Sequence, residues 1–131
     1  MPRRDSIHVV AVLLLAAASN VHAAPGRLPR AVGECVATRI KTVGSRLVDG
    51  DTPVPDSGSA VTFTNGGYQV SYDTVAPIEQ SRPGDPVRMC LLALPRHCPP
   101  GDTRGRLYRT TNLRTHKFWV LRDAEHMCGG A

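Results

Sequence analysis

A helix needs about 18–20 consecutive apolar residues to cross a bilayer, and no stretch of this chain reaches that length. An integral helical membrane protein is therefore excluded. Aromatic residues are scarce at 5%, with one Trp. Lysine is scarcer still, confined to Lys41 and Lys117, so the positive charge is carried almost wholly by arginine. No N-x-S/T sequon occurs. The sequence contains no G-x-S-x-G elbow, no H-E-x-x-H, no phosphate loop, no G-x-G-x-x-G and no S-x-x-K, so the common hydrolase and nucleotide signatures are missing. It also has no C-x-x-C or H-x₃-H spacing of the kind a zinc site uses. At 131 residues the chain is long enough for one domain.

What is present begins with an address. Arg3 and Arg4 precede an apolar run from Val9 to Ala18, and Val21-His22-Ala23 offers small residues where a signal peptidase reads. Basic start, short apolar middle and small-residue exit make a secretory signal over residues 1–23, cleaved after Ala23. Residues 24–33 then read as a loose leader, and 34–131 as a single small domain. With the signal removed, the net charge stays positive, as it is for the whole chain at +5. A basic exported protein is drawn to anionic polymers, lipids and sugars, whereas export separates it from intracellular nucleic acid. The expected location is periplasmic or extracellular.

Cys35, Cys90, Cys98 and Cys128 are the four cysteines. An even number in a small exported domain implies two disulfides, which compensate for a small core. Of the three pairings, a tight Cys90–Cys98 loop and a Cys35–Cys128 bridge between the domain ends are expected; a Cys35–Cys90 bond would refute them. With the thiols oxidised, neither a thiol nucleophile nor a metal site remains, and no cofactor is expected.

Between the cysteines the chain reads as strands. Val36, Thr38 and Ile40 alternate with Ala37, Arg39 and Lys41, and Gly44 suggests a bulge. Asn65-Gly66 predicts a two-residue hairpin turn, which would set Phe63 against Tyr68 and Val61 against Val70, with Tyr72 on the same face. Val87–Leu94 is nearly all apolar. The last hairpin, 106–111 with 116–121, sets Thr111 against His116 and Tyr108 against Trp119. No long helical stripe appears. About five or six short strands separated by Gly/Pro turns predict an all-β fold, a small antiparallel barrel or sandwich of OB-like or SH3-like form, stapled by disulfides.

Two candidate sites follow. One face of the last hairpin carries Arg106, Tyr108, Lys117 and Trp119, a stacking platform for sugars or anionic chains if it faces outward. A single Trp equally suits a core anchor, and periodicity leaves both readings open because each face mixes apolar and basic residues. The other candidate is His97, His116 and His126, which could cleave a phosphodiester in a nuclease-like hydrolase if two rings met across a cleft. The favoured expectation is a non-catalytic module that binds an anionic glycan, a lipid or a protein partner of the cell envelope. The alternative is the small hydrolase.

Overall fold

The computed structural model describes Pro2 and residues 26–130. The expected cleavage after Ala23, and all of the signal segment except Pro2, lie outside these residues. The chain forms the expected all-β fold, a closed antiparallel barrel stapled by two disulfides.

In chain order the elements are β1 (Cys35–Ser45), β2 (Val48–Asp49), β3 (Thr52–Pro53), β4 (Ser59–Phe63), β5 (Tyr68–Ser71), α1 (Ala76–Glu79), β6 (Pro86–Ala93), β7 (Leu107–Asn112) and β8 (Phe118–Arg122). Around the barrel the order is β1, β4, β5, β8, β7, β6, while β2 and β3 form a separate two-stranded ear. β1 serves two partners. Its first half pairs with β6 and its second half with β4, and the register slips between Ile40 and Thr42. The irregularity thus falls at Lys41. Gly44, the expected bulge, pairs regularly with Ala60.

The core follows a two-residue period, as a sheet with one covered face requires. Ile40, Val61, Phe63, Val87, Met89, Leu91, Tyr108 and Trp119 point inward as one cluster. Ile78 of α1 joins it and plugs the barrel end at which β1–β4, β5–β6 and β7–β8 are connected. A polar network secures that end. Asp85 accepts hydrogen bonds from Arg114 Nε (2.6 Å), Arg114 Nη2 (2.9 Å), Asn112 Nδ2 (2.8 Å) and the Arg82 N–H (2.9 Å). Asn112 also donates to Ser81 Oγ. The Arg114 guanidinium holds the Asp85 carboxyl well below the usual carboxylate range, and the bonds from Asn112 and Arg82 act the same way against the cost of burial.

Both hairpin registers differ from expectation, for reasons of turn chemistry. Around Asn65 the loop has three residues, Thr64 to Gly66: the Phe63 N–H bonds to Gly67 O, and Gly66 takes a left-handed φ of 86°. Asn65 Oδ1 accepts the Gly67 N–H at 3.0 Å, a local turn that the Asn side chain makes itself. The extra residue moves the pairing by one, so Thr62 faces Tyr68 and Val61 faces Gln69. A slip of one exchanges the two faces of a strand. Gln69 is therefore fully buried, while Tyr68 and Tyr72 face out. In the last hairpin the Asn112 side chain accepts the Arg114 and Thr115 N–H groups, and His116 adopts φ 59°. The loop lengthens and the pairing moves by two, with Thr111 opposite Phe118 and Tyr108 opposite Leu121. An even shift leaves the faces unchanged.

The disulfides are Cys35–Cys90 and Cys98–Cys128, which overturns the expected Cys90–Cys98 and Cys35–Cys128. Cys35 opens β1 directly opposite Cys90 on the neighbouring strand β6. Strand adjacency, which sequence separation does not reveal, determines that partner. Cys98 lies in the β6–β7 connection and ties it to the tail, where Asp102 also accepts the Gly129 N–H. Residues 26–33, expected as a loose leader, are instead seated on the barrel. Pro29 is fully buried, Leu28 packs against the core, and the Gly33 N–H bonds to Leu91 O.

Candidate functional site

The barrel end away from α1 is a mouth, surrounded by the seated 26–33 segment, the Asn65 turn, the β6–β7 connection and the exit of β8. It holds a cavity of roughly 200 Å³ lined by Leu28, Tyr68, Gln69, Met89, Arg106 and Tyr108, with Thr103 and Asp123 at its edge. A second, shallower hollow of about 580 Å³ adjoins it, bounded by Arg27, Leu28, Pro29, Arg30, Asn65 and Arg106. Leu28 and Arg106 belong to both, so the two form one trough.

Backbone contacts place these side chains. The Gly105 and Arg106 N–H groups both donate to Asp123 Oδ1, at 2.8 and 3.1 Å, which fixes the entry to β7. The Arg106 guanidinium lies against the Tyr108 phenol. Burial pushes the Tyr108 hydroxyl up from its ordinary pKa of 10.0, helped by the Asp123 charge and opposed by Arg106. Burial likewise raises Tyr68, with Glu125 adding and Arg46 opposing. Both phenols stay protonated at neutral pH and can donate a hydrogen bond to an anion.

On the other wall, Glu34 holds the 26–33 segment. It accepts the Arg30 and Ala31 N–H groups at 2.7 and 3.2 Å and forms an ion pair with Arg27. The Arg30 N–H is the largest influence lowering the Glu34 carboxyl to about 2, followed by Arg27 and the Ala31 N–H. Arg27 is thus neutralised by Glu34. Among the described residues, Arg30 and Arg106 make no ion pair.

The four residues expected as a platform are separated by this arrangement. Arg106 and Tyr108 meet at the mouth. Trp119 is in the core, 4% exposed, with its Nε1–H donating to Gln69 Oε1 at 2.7 Å. Tyr108 is 2% exposed and forms cavity floor, not outer surface. Lys117 lies in the β7–β8 loop at the end capped by α1. The exposed-platform reading of that face is therefore corrected: Tyr108, Thr110 and Trp119 point into the barrel because that face of the hairpin is the one that meets Met89 and Gln69. The opposite face carries the exposed aromatic, Phe118, with the Arg109 guanidinium 4.0 Å above its ring.

No histidine lies in the trough, and His116 stands apart from the other two. His116 is in the β7–β8 loop, whereas His97 and His126 flank the Cys98–Cys128 disulfide at the mouth end. The intervening β8 strand, at roughly 3.3 Å per residue, keeps His116 well beyond 7 Å from both. All three are exposed, and none lines either part of the trough. Among the described residues no group of three or more His, Cys, Asp or Glu gathers, and no helix is long and apolar enough to cross a membrane.

Sequence reasoning missed Leu28, Arg27 and Arg30, because a Pro/Gly/Arg segment before the first strand looks like a linker. It also missed Gln69, which the expected register turned outward. The Asn65-Gly66-Gly67 run was the available signal, since an extra glycine permits a longer turn. Comparison with protein-family models, curated proteins and solved structures gives no match.

Proposed function

We propose that the protein is a non-catalytic binding module of the periplasm or cell exterior, which captures an anionic group of an envelope glycan or lipid at the barrel mouth. The observation that carries the proposal is Arg106. It joins the two parts of the trough, its guanidinium makes no ion pair among the described residues, and it lies against the protonated Tyr108 phenol in a cavity that Tyr68 also lines. A guanidinium beside hydroxyl donors in a partly enclosed hollow suits a phosphate or carboxylate. Arg30 adds charge on the opposite wall, and Leu28 and Met89 supply apolar surface for the carrier of the anion. Two disulfides are compatible with an oxidising compartment, and the basic balance favours approach to an anionic envelope.

The test uses the oxidised protein with two probes, polygalacturonate in solution and vesicles containing phosphatidylglycerol. Binding to at least one is expected at low salt. It should weaken toward physiological ionic strength, where the screening length is about 8 Å. Arg106→Ala should bind about tenfold more weakly, a loss of about 1.4 kcal/mol, with unchanged Trp119 emission reporting an intact core. Absence of binding to both probes at low salt, or equal binding by Arg106→Ala, refutes the assignment. The probe that binds distinguishes a glycan carboxylate from a lipid phosphate.

A further inference from the structure

The barrel is closed by a weak seam. β5 and β8 share one residue pair, Val70 with Arg122. Beyond it β5 stops at Ser71 and the chain turns toward α1: the Asp73 N–H bonds to Ser71 Oγ and the Val75 N–H to Ser59 Oγ. If the ladder continued, Tyr72 would lie opposite Val120. Instead the strands part, and a hollow of about 340 Å³ lies over the seam, lined by the apolar Val70, Tyr72, Leu107 and Val120 and by the charged Asp73, Arg122 and Glu125.

Antiparallel pairing determines where the free main-chain groups point. The Asn112 N–H bonds to Lys117 O, and the Asp123 N–H bonds to Arg106 O. Between these two bonds, alternate residues of β8 face β7, namely Trp119 and Leu121. Phe118, Val120 and Arg122 therefore direct their N–H and C=O groups away from β7, toward the departed β5. Arg122 meets Val70. Among the described residues the N–H and C=O of Phe118 and Val120, and those of Tyr72 across the gap, form no hydrogen bond.

Native sheets rarely leave such an edge bare, because unpaired N–H and C=O groups are a template for another strand. Here the side chains alongside are also apolar and open: Tyr72 is 54% exposed, Phe118 50% and Val120 43%. Cations flank them. Arg109, which makes no ion pair among the described residues, stacks on Phe118, and Arg46, paired with Glu125, lies 4.4 Å above the Tyr72 ring.

We propose that this seam is a strand-addition site, at which an extended segment of a partner protein pairs with the edge of β8 through Phe118 and Val120. The outer face of the segment lies beside the hollow and the Arg109 guanidinium over Phe118, so acidic side chains on that face meet Arg109 while the intervening side chains point to the opposite face. Main-chain pairing gives affinity, and the hollow and Arg109 select the sequence. The site is separate from the mouth and does not depend on Arg106.

The experiment uses the oxidised protein and three blocked decapeptides. One alternates valine with glutamate, one alternates valine with lysine, and the third is the glutamate peptide N-methylated at every second residue. The glutamate peptide should bind at least tenfold more tightly than the lysine peptide and protect the Phe118 and Val120 amides from hydrogen exchange, while the N-methylated peptide should fail to bind. Val120→Pro removes a seam-facing N–H and should abolish binding; Arg109→Glu, which leaves the backbone intact, should reverse the preference between glutamate and lysine. Amides of Phe118 and Val120 that are already slow to exchange in the free protein overturn the proposal. Equal binding of the N-methylated peptide, or protection of these amides only on self-association of the protein, does so too.

Discussion

Replacing Gln69 by Met tests what holds the barrel shut where its backbone ladder fails. Gln69 projects from β5 into the core and reaches both strands on the far side of the seam. Trp119 Nε1–H donates to its Oε1 at 2.7 Å, and the Thr110 hydroxyl lies 3.0 Å from Oε1 and 2.9 Å from Nε2. All three residues are buried. Met nearly preserves the volume, so little packing is lost. The buried indole N–H and Thr110 hydroxyl, however, lose their acceptor. An unsatisfied buried group costs about 1–3 kcal/mol, which for two groups gives a total of about 2–6 kcal/mol. Trp119 is the only tryptophan, so urea unfolding followed by its emission reads the core directly. Thr110→Val removes one of the stranded groups. The double variant should therefore be less destabilised than the two single effects combined, with a coupling of about 1–2 kcal/mol. A Gln69→Met cost below about 0.5 kcal/mol, with strict additivity, would refute the idea that this amide fastens β5 to β7 and β8.

Two further perturbations act at the barrel ends. Asp85 is depressed below its ordinary value of 3.8, so its contribution is complete above that pH and is lost as pH falls through the lower folded value. Urea midpoints measured between pH 6 and pH 2 should fall in the acid limb, and Asp85→Asn should flatten that slope while costing about 2–3 kcal/mol at neutral pH; an unchanged acid slope contradicts this role. Replacing Cys98 and Cys128 together by Ser removes a cross-link between residues 30 apart and should lower stability by about 3–4 kcal/mol on the chain-entropy estimate. Calorimetry should register that loss, and peptide mapping should show Cys35–Cys90 still formed; free Cys35 and Cys90 thiols in that variant would mean that strand adjacency does not direct Cys35 to Cys90.

The strands were legible because their signals are local. Alternation over Val36–Lys41 marked β1, and the composition of each face of the last hairpin survived a register change because an even shift preserves parity. Less legible was anything that depends on the length of a turn. One extra residue after Asn65 brought Gln69 inside and sent Tyr68 out, which relocated the polar centre of the core. Disulfide partners were not legible either, since Cys35 meets Cys90 only once β1 and β6 are neighbours. The candidate site was half visible: Arg106 and Tyr108 were singled out on the hairpin, but the wall facing them comes from Leu28 and Arg30, whose role exists only when that segment lies across the mouth.

The two disulfides join the first cysteine to the second and the third to the fourth, so their loops lie one after the other and do not interlock. A chain presented to an oxidant from its N-terminus exposes Cys35 and Cys90 before Cys98 and Cys128. Pairing in order of appearance then produces the native connectivity, with no thiol–disulfide exchange needed to correct it. Each bond can form as soon as its own stretch has arrived, the first fastening β1 to β6 before the last hairpin exists. Maturation of this protein should consequently need an electron acceptor but little isomerase.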